Sequence, residues 1–572
     1  MQEDGRKMIK NFFLIFNGVD NKFKIKFLLL NLIYILNSVV QSIYIISIAP
    51  IISYAITADK NDVSKYTQKI IDFGSNFFND VIVIFFVFFI VSSLVANFFL
   101  IFLNFVNFTL NQNLLSRVRK KLFLNYANSN YLFITSNNIS FYNTIIFPQV
   151  DRLVNNVFGS LILIIQNLFS VFMILFSIIL IMKNDILVFF IITAFIFILG
   201  ILSTKKYFSE KGEKLSKILN SRLDILNKLI LNFKEVQIFN LKKYLLERYN
   251  FFENSYNSNI KFTSFINHST KPIIEILAII ILTVIIYTNY LLILNTNFVI
   301  QFSITVFALY KILPSANVIY TSFNQIIFDK SSVNKIYNQM YQKDFNDKKN
   351  DTIKNKNFHF LNENLLNLKV RNLRFGYNNE DVIKNFNYNF EINKFYLIKG
   401  SSGKGKSTLM NLLIGLIPYD SGEIFYNDQK FVNYKNENWY KKISYVPQKI
   451  TLLNNTIKDN ITFSFENNFD DEKYINILKK VNLYHEFSNR ENEIINELAD
   501  NLSGGQAQRI GLARALYRDS KIIFLDEPTS NLDNKNENDF LELVNKLKKD
   551  RMIIMISHKN HKNITFDDII EL

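Results

Sequence analysis

The residues best suited to chemistry lie in the last third of the chain. Gly400-Ser401-Ser402-Gly403-Lys404-Gly405-Lys406-Ser407-Thr408 follows the apolar run Phe395-Tyr396-Leu397-Ile398 and precedes Leu409-Met410-Asn411-Leu412-Leu413-Ile414. This order predicts a strand, a glycine loop and a helix. Glycines let backbone N–H groups turn inward around a phosphate, and the positive N-terminal end of the following helix favours the same anion. Lys406 is then placed to reach the β- and γ-phosphates, and the Ser407 hydroxyl to hold Mg²⁺. Taken alone, the loop predicts binding of a nucleoside triphosphate.

A second stretch narrows the chemistry. Leu502-Ser503-Gly504-Gly505-Gln506 lies shortly before Ile522-Ile523-Phe524-Leu525-Asp526-Glu527, an apolar strand ending in two carboxylates. Asp526 is placed to orient Mg²⁺ through its water shell, and Glu527 to polarise the attacking water as a general base. The three segments in this order resemble the nucleotide-binding domain of ATP-binding-cassette (ABC) proteins. The resemblance implies ATP and Mg²⁺ as cofactors and assigns further residues. Tyr377 matches the aromatic that stacks on adenine, as a flat ring can at little conformational cost. Gln448, in Tyr445-Val446-Pro447-Gln448, matches the glutamine that touches Mg²⁺ and the attacking water. Asp533 matches the acid that couples two ATP sites, and His558 the histidine that contacts the γ-phosphate.

Two departures from that family stand out. Lys404 occupies a variable loop position where many exporters carry a small residue, and it is expected to point to water. Asn496-Glu497-Leu498-Ala499-Asp500 replaces an acidic, glycine-rich loop, keeping the acid at Glu497 but none of the glycines. Asp567 to Leu572 reads as the last strand, with nothing beyond it.

The elements that must carry these residues divide by composition. At 572 residues the chain is too long for one ordinary domain. Up to about residue 330 it is dominated by long tracts of Phe, Ile and Leu; thereafter charge alternates with short apolar runs. The expected architecture is multidomain. An all-α transmembrane domain of six helices (1–330) leads through a linker (331–365) to an α/β P-loop nucleotide-binding domain (366–572). No cysteine is present, which excludes disulfides and thiol chemistry. The five histidines show no metal-ligand spacing. The net charge of +16 invites a nucleic-acid reading. Lys and Asn are abundant throughout, however, and neither zinc-finger spacing nor an aromatic RNA-binding motif occurs, so nucleic acid is not an expected partner.

Apolar segments of about 20 residues can cross a bilayer as helices. Candidates run from about Phe27 to Ile56, Val81 to Phe105, Phe158 to Met182, Ile186 to Leu202, Ile273 to Leu294 and Phe298 to Ile319. Lys183-Asn184-Asp185 makes the tight turn between the third and fourth. The basic start is not followed by a short apolar core with a small-residue cleavage site, so no signal peptide is expected. Arg117, Arg119, Lys120 and Lys121 follow the second span, and Lys205, Lys206, Lys211 and Lys214 the fourth. This bias predicts cytoplasmic termini and long cytoplasmic loops in a multi-pass protein of the bacterial inner membrane.

Six spans, long intracellular loops and a C-terminal ATPase are similar to the type I (type IV) exporter architecture. That resemblance implies coupling turns near Asn138 to Thr144 and near Asn232-Phe233-Lys234-Glu235, seated on the ATPase near Gln448. It also implies that ATP on the Lys406 loop is completed by Ser503 and Gly505 of a second subunit, most simply a second copy in a homodimer.

Ionisable residues inside spans often mark a pathway. Glu275 and Lys311 are the main candidates, with Lys271 beside Glu275. The bland alternatives are a Lys271–Glu275 pair one turn apart and a packing role for Lys311. Pro272 to Glu275 and Ala308 to Asn317 look like the bacterial lipid-linked oligosaccharide flippases, which move a polyprenyl-diphosphate glycan across the inner membrane. Export of a peptide, lipid or drug is the alternative. A non-transport ABC ATPase of translation or DNA repair conflicts with the apolar spans.

Overall fold

A computed structural model describes residues 2–57, 65–181, 185–288, 296–341, 364–377, 380–463, 469–488, 490–495, 502–530, 532–559, 561 and 564–572. The chain forms two compact units. The first comprises Met1–Ser129 and Phe133–Phe345, the second Asn130–Leu132 and Asn346–Leu572.

The first unit is helical throughout its described residues. Its helices are α1 (Gln2–Asn17), α2 (Asn21–Ile46), α3 (Ile48–Thr57), α4 (Lys65–Gly74), α5 (Val81–Ala127), α6 (Tyr131–Thr135) and α7 (Ile139–Thr144). They continue as α8 (Gly159–Ile181), α9 (Asp185–Leu231), α10 (Phe233–Ile238), α11 (Lys242–Thr288), α12 (Thr296–Phe328) and α13 (Lys330–Tyr341). Five stretches among the described residues are long and apolar enough to span a membrane: Asn21–Ile52, Val81–Ala127, Ile139–Ile179, Lys242–Val284 and Phe302–Phe328. The fourth expected span falls on α9; its turn, Lys183 and Asn184, lies outside the described residues.

At 47 residues each, α5, α9 and α11 extend to about 70 Å at 1.5 Å per residue, far beyond a hydrocarbon core of about 30 Å. The C-terminal portions of α5 and α9 carry the basic clusters read from the sequence. Between α7 and α8 the helix widens into π turns at Ile145–Gln149 and Arg152–Phe158, the first containing Pro148. Proline lacks an N–H and cannot sustain the regular ladder there. The short helix α10 lies where a coupling turn was expected near Asn232. In the earlier loop, Asn130–Leu132 at the start of α6 belongs to the second unit, ahead of the turn expected at Asn138 to Thr144.

A buried ion pair ties one of these π turns to the end of α12. Arg152 lies 2.5 Å from Asp329, whose side chain is fully buried. Asn156 donates to the other Asp329 oxygen at 2.6 Å. Gln149 adds a second buried link, donating to Ser216 at 2.9 Å and accepting from Ser332 at 2.6 Å.

The second unit is α/β. Strands β1 (Asn367–Tyr377), β2 (Glu380–Glu391), β3 (Phe395–Lys399), β4 (Ser421–Tyr426), β5 (Gln429–Phe431) and β6 (Ile443–Val446) precede β7 (Asn455–Thr456) and β8 (Ile494–Ile495). The last three are β9 (Ile522–Asp526), β10 (Met552–Ile556) and β11 (Asp568–Glu571). The core sheet has the order β11-β3-β10-β9-β6 and is parallel at every pairing. Every residue of β10 is buried, as expected of a parallel strand covered on both faces. A smaller antiparallel sheet, β2-β1-β4-β5, lies beside it in the chain order that precedes the phosphate loop and follows it.

Helices α14 (Lys406–Ile414), α15 (Glu437–Tyr440), α16 (Ile457–Thr462), α17 (Asp471–Lys480), α18 (Tyr484–Phe487), α19 (Gly504–Tyr517) and α20 (Asn534–Leu547) complete the unit. The one tryptophan, Trp439, is wholly buried and donates its indole N–H to the Ile414 carbonyl at 3.0 Å, fixing the far end of α14.

Removing one partner of a buried ion pair costs about 3–5 kcal/mol, whereas replacing both with apolar groups is often neutral. Asp329→Ala is therefore expected to lower the thermal unfolding midpoint of the purified protein markedly. Arg152→Met combined with Asp329→Leu should recover most of that loss. Equal melting of Asp329→Ala and wild type would contradict a structural role for the pair.

Candidate functional site: a nucleotide site at the carboxyl ends of a parallel sheet

The chemistry-bearing residues follow four adjacent strands of one sheet. The phosphate loop and α14 follow β3, His558 follows β10, Asp526 and Glu527 stand at the end of β9, and Gln448 follows β6. All four strands run parallel, so all four follow-on segments emerge at the same edge. That edge is where open α/β sheets bind ligands.

The loop has the backbone that its sequence requires. Gly403 and Gly405 adopt φ of +84° and +89°, a left-handed region that side chains rarely enter. At Gly405 space is also limiting, because a Cβ would lie 2.7 Å from Val382 Cγ1. At Gly403 a Cβ would meet nothing within 4 Å. Lys406 is buried and folds back over the loop, donating to the carbonyls of Gly400 at 2.9 Å and Ser401 at 3.0 Å. Ser407 and Thr408 follow in the first turn of α14. Ser401, Ser402 and Lys404 are exposed.

Glu527 is the hub of the site. One carboxylate oxygen lies 2.8 Å from His558 Nε2, and the other accepts from Gln448 Nε2 at 2.9 Å. Its φ is +46°, uncommon for a residue with a side chain. Its own N–H donates to the Ile556 carbonyl at 3.0 Å, tying the end of β9 to the end of β10. Such backbone strain concentrates at functional sites. Burial holds the Asp526 carboxyl above the usual carboxylate range. The Tyr445 hydroxyl, which donates to it at 3.0 Å, works against that rise, as does the nearby Lys406 charge; the neighbouring Glu527 adds to it.

Tyr445, Gln508 and Glu486 take part without having been anticipated from the sequence. Gln508 donates to the Gln448 carbonyl at 2.8 Å and holds the glutamine loop against α19. The one sequence signal for Tyr445 is its place three residues before Gln448, as an exposed position in an otherwise buried strand.

The Ser503-Gly504-Gly505-Gln506 segment forms the start of α19. The Ser503 hydroxyl accepts from the Gln506 N–H at 3.2 Å, and the Gln506 side chain accepts from the Ser503 N–H at 2.8 Å. This reciprocal cap rigidifies a helix N-terminus, with an exposed Ser503 and N–H groups suited to an anion. Gln506 in turn donates to Glu486. Asp533 precedes α20 and accepts from Asn536 at 2.5 Å. Tyr377, at the end of β1, is 40% exposed, with its ring edge-on to Phe375 at 4.9 Å. Asn496 to Asp500 lie outside the described residues.

The donor set fits the expected ligands. Ser407, Gln448 and Asp526 would supply oxygen ligands, the hard donors that Mg²⁺ takes. The loop amides and Lys406 supply the positive cradle for phosphate. The site residues proposed within the spans divide in two. Lys271 and Glu275 face each other at 3.8 Å and are exposed on α11, whereas Lys311 lines a cavity inside the first unit.

Comparison with known proteins agrees with this geometry. Residues 383–530 match the ABC transporter family. A putative export ATP-binding/permease protein of Rickettsia typhi is 38% identical over 216 residues, covering 36% of this chain and 37% of its own length. An ATP-dependent lipid A-core flippase of Pasteurella multocida is 32% identical over 208 residues, or 36% of each chain. One from Wigglesworthia glossinidia brevipalpis is 28% identical over 380 residues, covering 64% of this chain and 63% of that one. The matches to the first two thus span little more than a third of those proteins. In three dimensions, a bacterial Atm1-family ABC exporter with ATP bound superposes with a TM-score of 0.78 at 17% identity, covering 97% of this chain and 94% of that one. Residues 383–530 are thus similar to the ABC transporter family, and the chain has the fold of that exporter.

The two loop glycines should differ on substitution. A left-handed backbone costs a residue with a side chain about 1–2 kcal/mol, so Gly403→Ala should weaken binding of a fluorescent ATP analogue by roughly 5- to 30-fold. Gly405→Ala adds the collision with Val382 and should weaken it further. Equal affinities in the two variants would show that the crowding at Gly405 has no bearing on the site.

Proposed function

We propose that the chain is one half of an ATP-driven exporter of the bacterial cytoplasmic membrane, and that it flips a polyprenyl-diphosphate-linked oligosaccharide. The observation that carries the ATPase part is the convergence on Glu527 of His558 and Gln448 at the edge where the phosphate loop also emerges. In this reading Lys406 and the loop amides from Gly400 to Thr408 hold the phosphates, and Tyr377 stacks on adenine. Ser407, Gln448 and Asp526 hold Mg²⁺, which neutralises charge developing on the phosphates. Glu527 takes a proton from the attacking water, and His558 orients Glu527 and the γ-phosphate oxygens.

A second copy completes each site with Ser503, Gly504, Gly505 and Gln506, whose capped helix N-terminus suits the γ-phosphate. Asp533 links the two sites. In this reading the termini and the nucleotide unit lie on the cytoplasmic side, which the Lys and Arg clusters after the second and fourth spans support. The cargo reading draws support from the two relatives named ATP-dependent lipid A-core flippases.

Glu527→Gln is expected to retain ATP binding while hydrolysis falls by about 10²–10⁴-fold, the usual contribution of a positioned base. Retention of more than about a tenth of wild-type hydrolysis would refute Glu527 as the base. In proteoliposomes, ATP-dependent protection of the glycan on a polyprenyl-diphosphate oligosaccharide should be present in wild type and absent in Glu527→Gln. Vigorous hydrolysis without protection would favour a peptide, another lipid or a drug as cargo.

A further inference from the structure

Behind the nucleotide site, a buried polar cluster joins the two segments that carry Glu527 and His558. Glu537 lies in the first turn of α20, the helix that Asp533 precedes, and is only 8% exposed. A carboxylate so buried is costly unless it is paired and hydrogen-bonded. Lys559 Nζ lies 2.6 Å from one of its oxygens, and His561 Nδ1 lies 2.8 Å from the other. The hydroxyl of Thr529, two residues beyond Glu527, lies 3.5 Å from that second oxygen.

The cluster closes on itself. Lys559 also donates to the Thr529 carbonyl at 2.9 Å, so one ammonium ties the segment after β9 to the segment after β10. His561 Nε2 meets the Ser557 hydroxyl at 2.8 Å, and that oxygen accepts from the Lys559 N–H at 3.1 Å. These contacts assign the tautomer: Nδ1–H donates to Glu537, and Nε2 accepts from Ser557. A neutral His561 is satisfied at both nitrogens and leaves one carboxylate balanced by one ammonium. Burial holds His561 below the usual histidine range; Glu537 opposes that fall, and the Lys559 and Lys399 charges add to it.

A buried ion pair adds little net stability over apolar groups of the same shape, so stability alone does not account for this arrangement. Its position does. His558 stands between Ser557 and Lys559, both members of the cluster, while its own side chain is 42% exposed and meets Glu527 at 2.8 Å. The residues on either side of His558 are thus anchored through one carboxylate, and the ring is left to face the nucleotide edge. We propose that Glu537 is a positioning residue for hydrolysis, holding the His558 loop and the segment from Glu527 to Asp533 as one body and so setting His558 against Glu527. Glu537 touches no reacting atom and acts through His558. The proposal rests on the reading of Glu527 as the base and His558 as the group that orients it.

The test uses the full chain in lipid nanodiscs and reads kcat for ATP, affinity for a non-hydrolysable ATP analogue, and thermal melting. Glu537→Gln keeps the side chain's shape but loses the charge that pairs Lys559, whose side chain is 41% exposed and can turn to water. Its kcat is expected to fall about 10- to 100-fold, the cost of a misplacement of about 1 Å, with analogue affinity and melting close to wild type. Lys559→Met should behave alike, and Lys559→Arg should recover most of the rate. In a His558→Ala chain, Glu537→Gln should cause no further loss, because residues that act as a unit are non-additive. If Glu537→Gln melts early, Lys559→Met replaces it in both comparisons. Wild-type kcat in the variant used overturns the positioning role. Failure of the site reading is a separate result. If His558→Ala hydrolyses ATP at the wild-type rate, the role given to His558 fails and the positioning falls with it. If His558→Ala is impaired and Glu537→Gln lowers its rate further by the same factor as in wild type, the positioning alone is overturned.

Discussion

A parallel sheet places the carboxyl ends of neighbouring strands side by side, and the chemistry of this chain depends on that constraint. Neighbouring strands lie about 4.8 Å apart, so segments after β3, β10, β9 and β6 emerge within a few side-chain lengths of one another. Residues more than 150 positions apart in the chain thereby become neighbours, with Lys406 on one strand's follow-on loop and His558 on the next. Burial of the strands holds this spacing rigid: β3 and β9 are buried over four of five residues, and β10 over all five. The strained turn at Glu527 is sustained by that rigidity. Its carboxylate meets His558 and Gln448 because three strand ends hold the three residues in place.

The membrane unit obeys a different economy of interactions. Apolar side chains face lipid at no cost, so order comes from the polar groups between helices. The Arg152–Asp329–Asn156 cluster and the Gln149–Ser216–Ser332 chain hold the π turns against α9, the end of α12 and α13.

Much of this was legible in the sequence, for physical reasons. The phosphate loop declares itself because its glycines, lysine and serine must be consecutive to wrap one phosphate. Asp526 and Glu527 are legible because a buried strand must be apolar until it ends. The spans are legible because lipid demands long apolar helices. Tyr445 was missed because its hydroxyl meets Asp526 only through pairing of β6 with β9, 81 positions away. The five amides Asn37, Gln41, Asn97, Gln166 and Asn167 were missed for the same reason, being spread over three apolar helices. Lys311 drew notice through its charge and its place in Ala308 to Asn317. The membership of Asn130–Leu132 in the second unit carries no sequence signal, although the Tyr434 hydroxyl donates to Asn130 there at 2.8 Å.

The central claim is that one chain holds only half of each ATP site and that a second copy supplies the capped α19 terminus. The absence of native cysteine makes this directly testable by disulfide trapping. One chain would carry Lys404→Cys in the phosphate loop, and a differently tagged chain Leu502→Cys before α19. A disulfide requires Cα atoms about 4.4–6.8 Å apart. Mixed in one membrane and oxidised, the two chains should form a covalent heterodimer whose yield rises with ATP and Mg²⁺. Equal yield with and without nucleotide, or no cross-link between chains under any condition, would contradict a shared site.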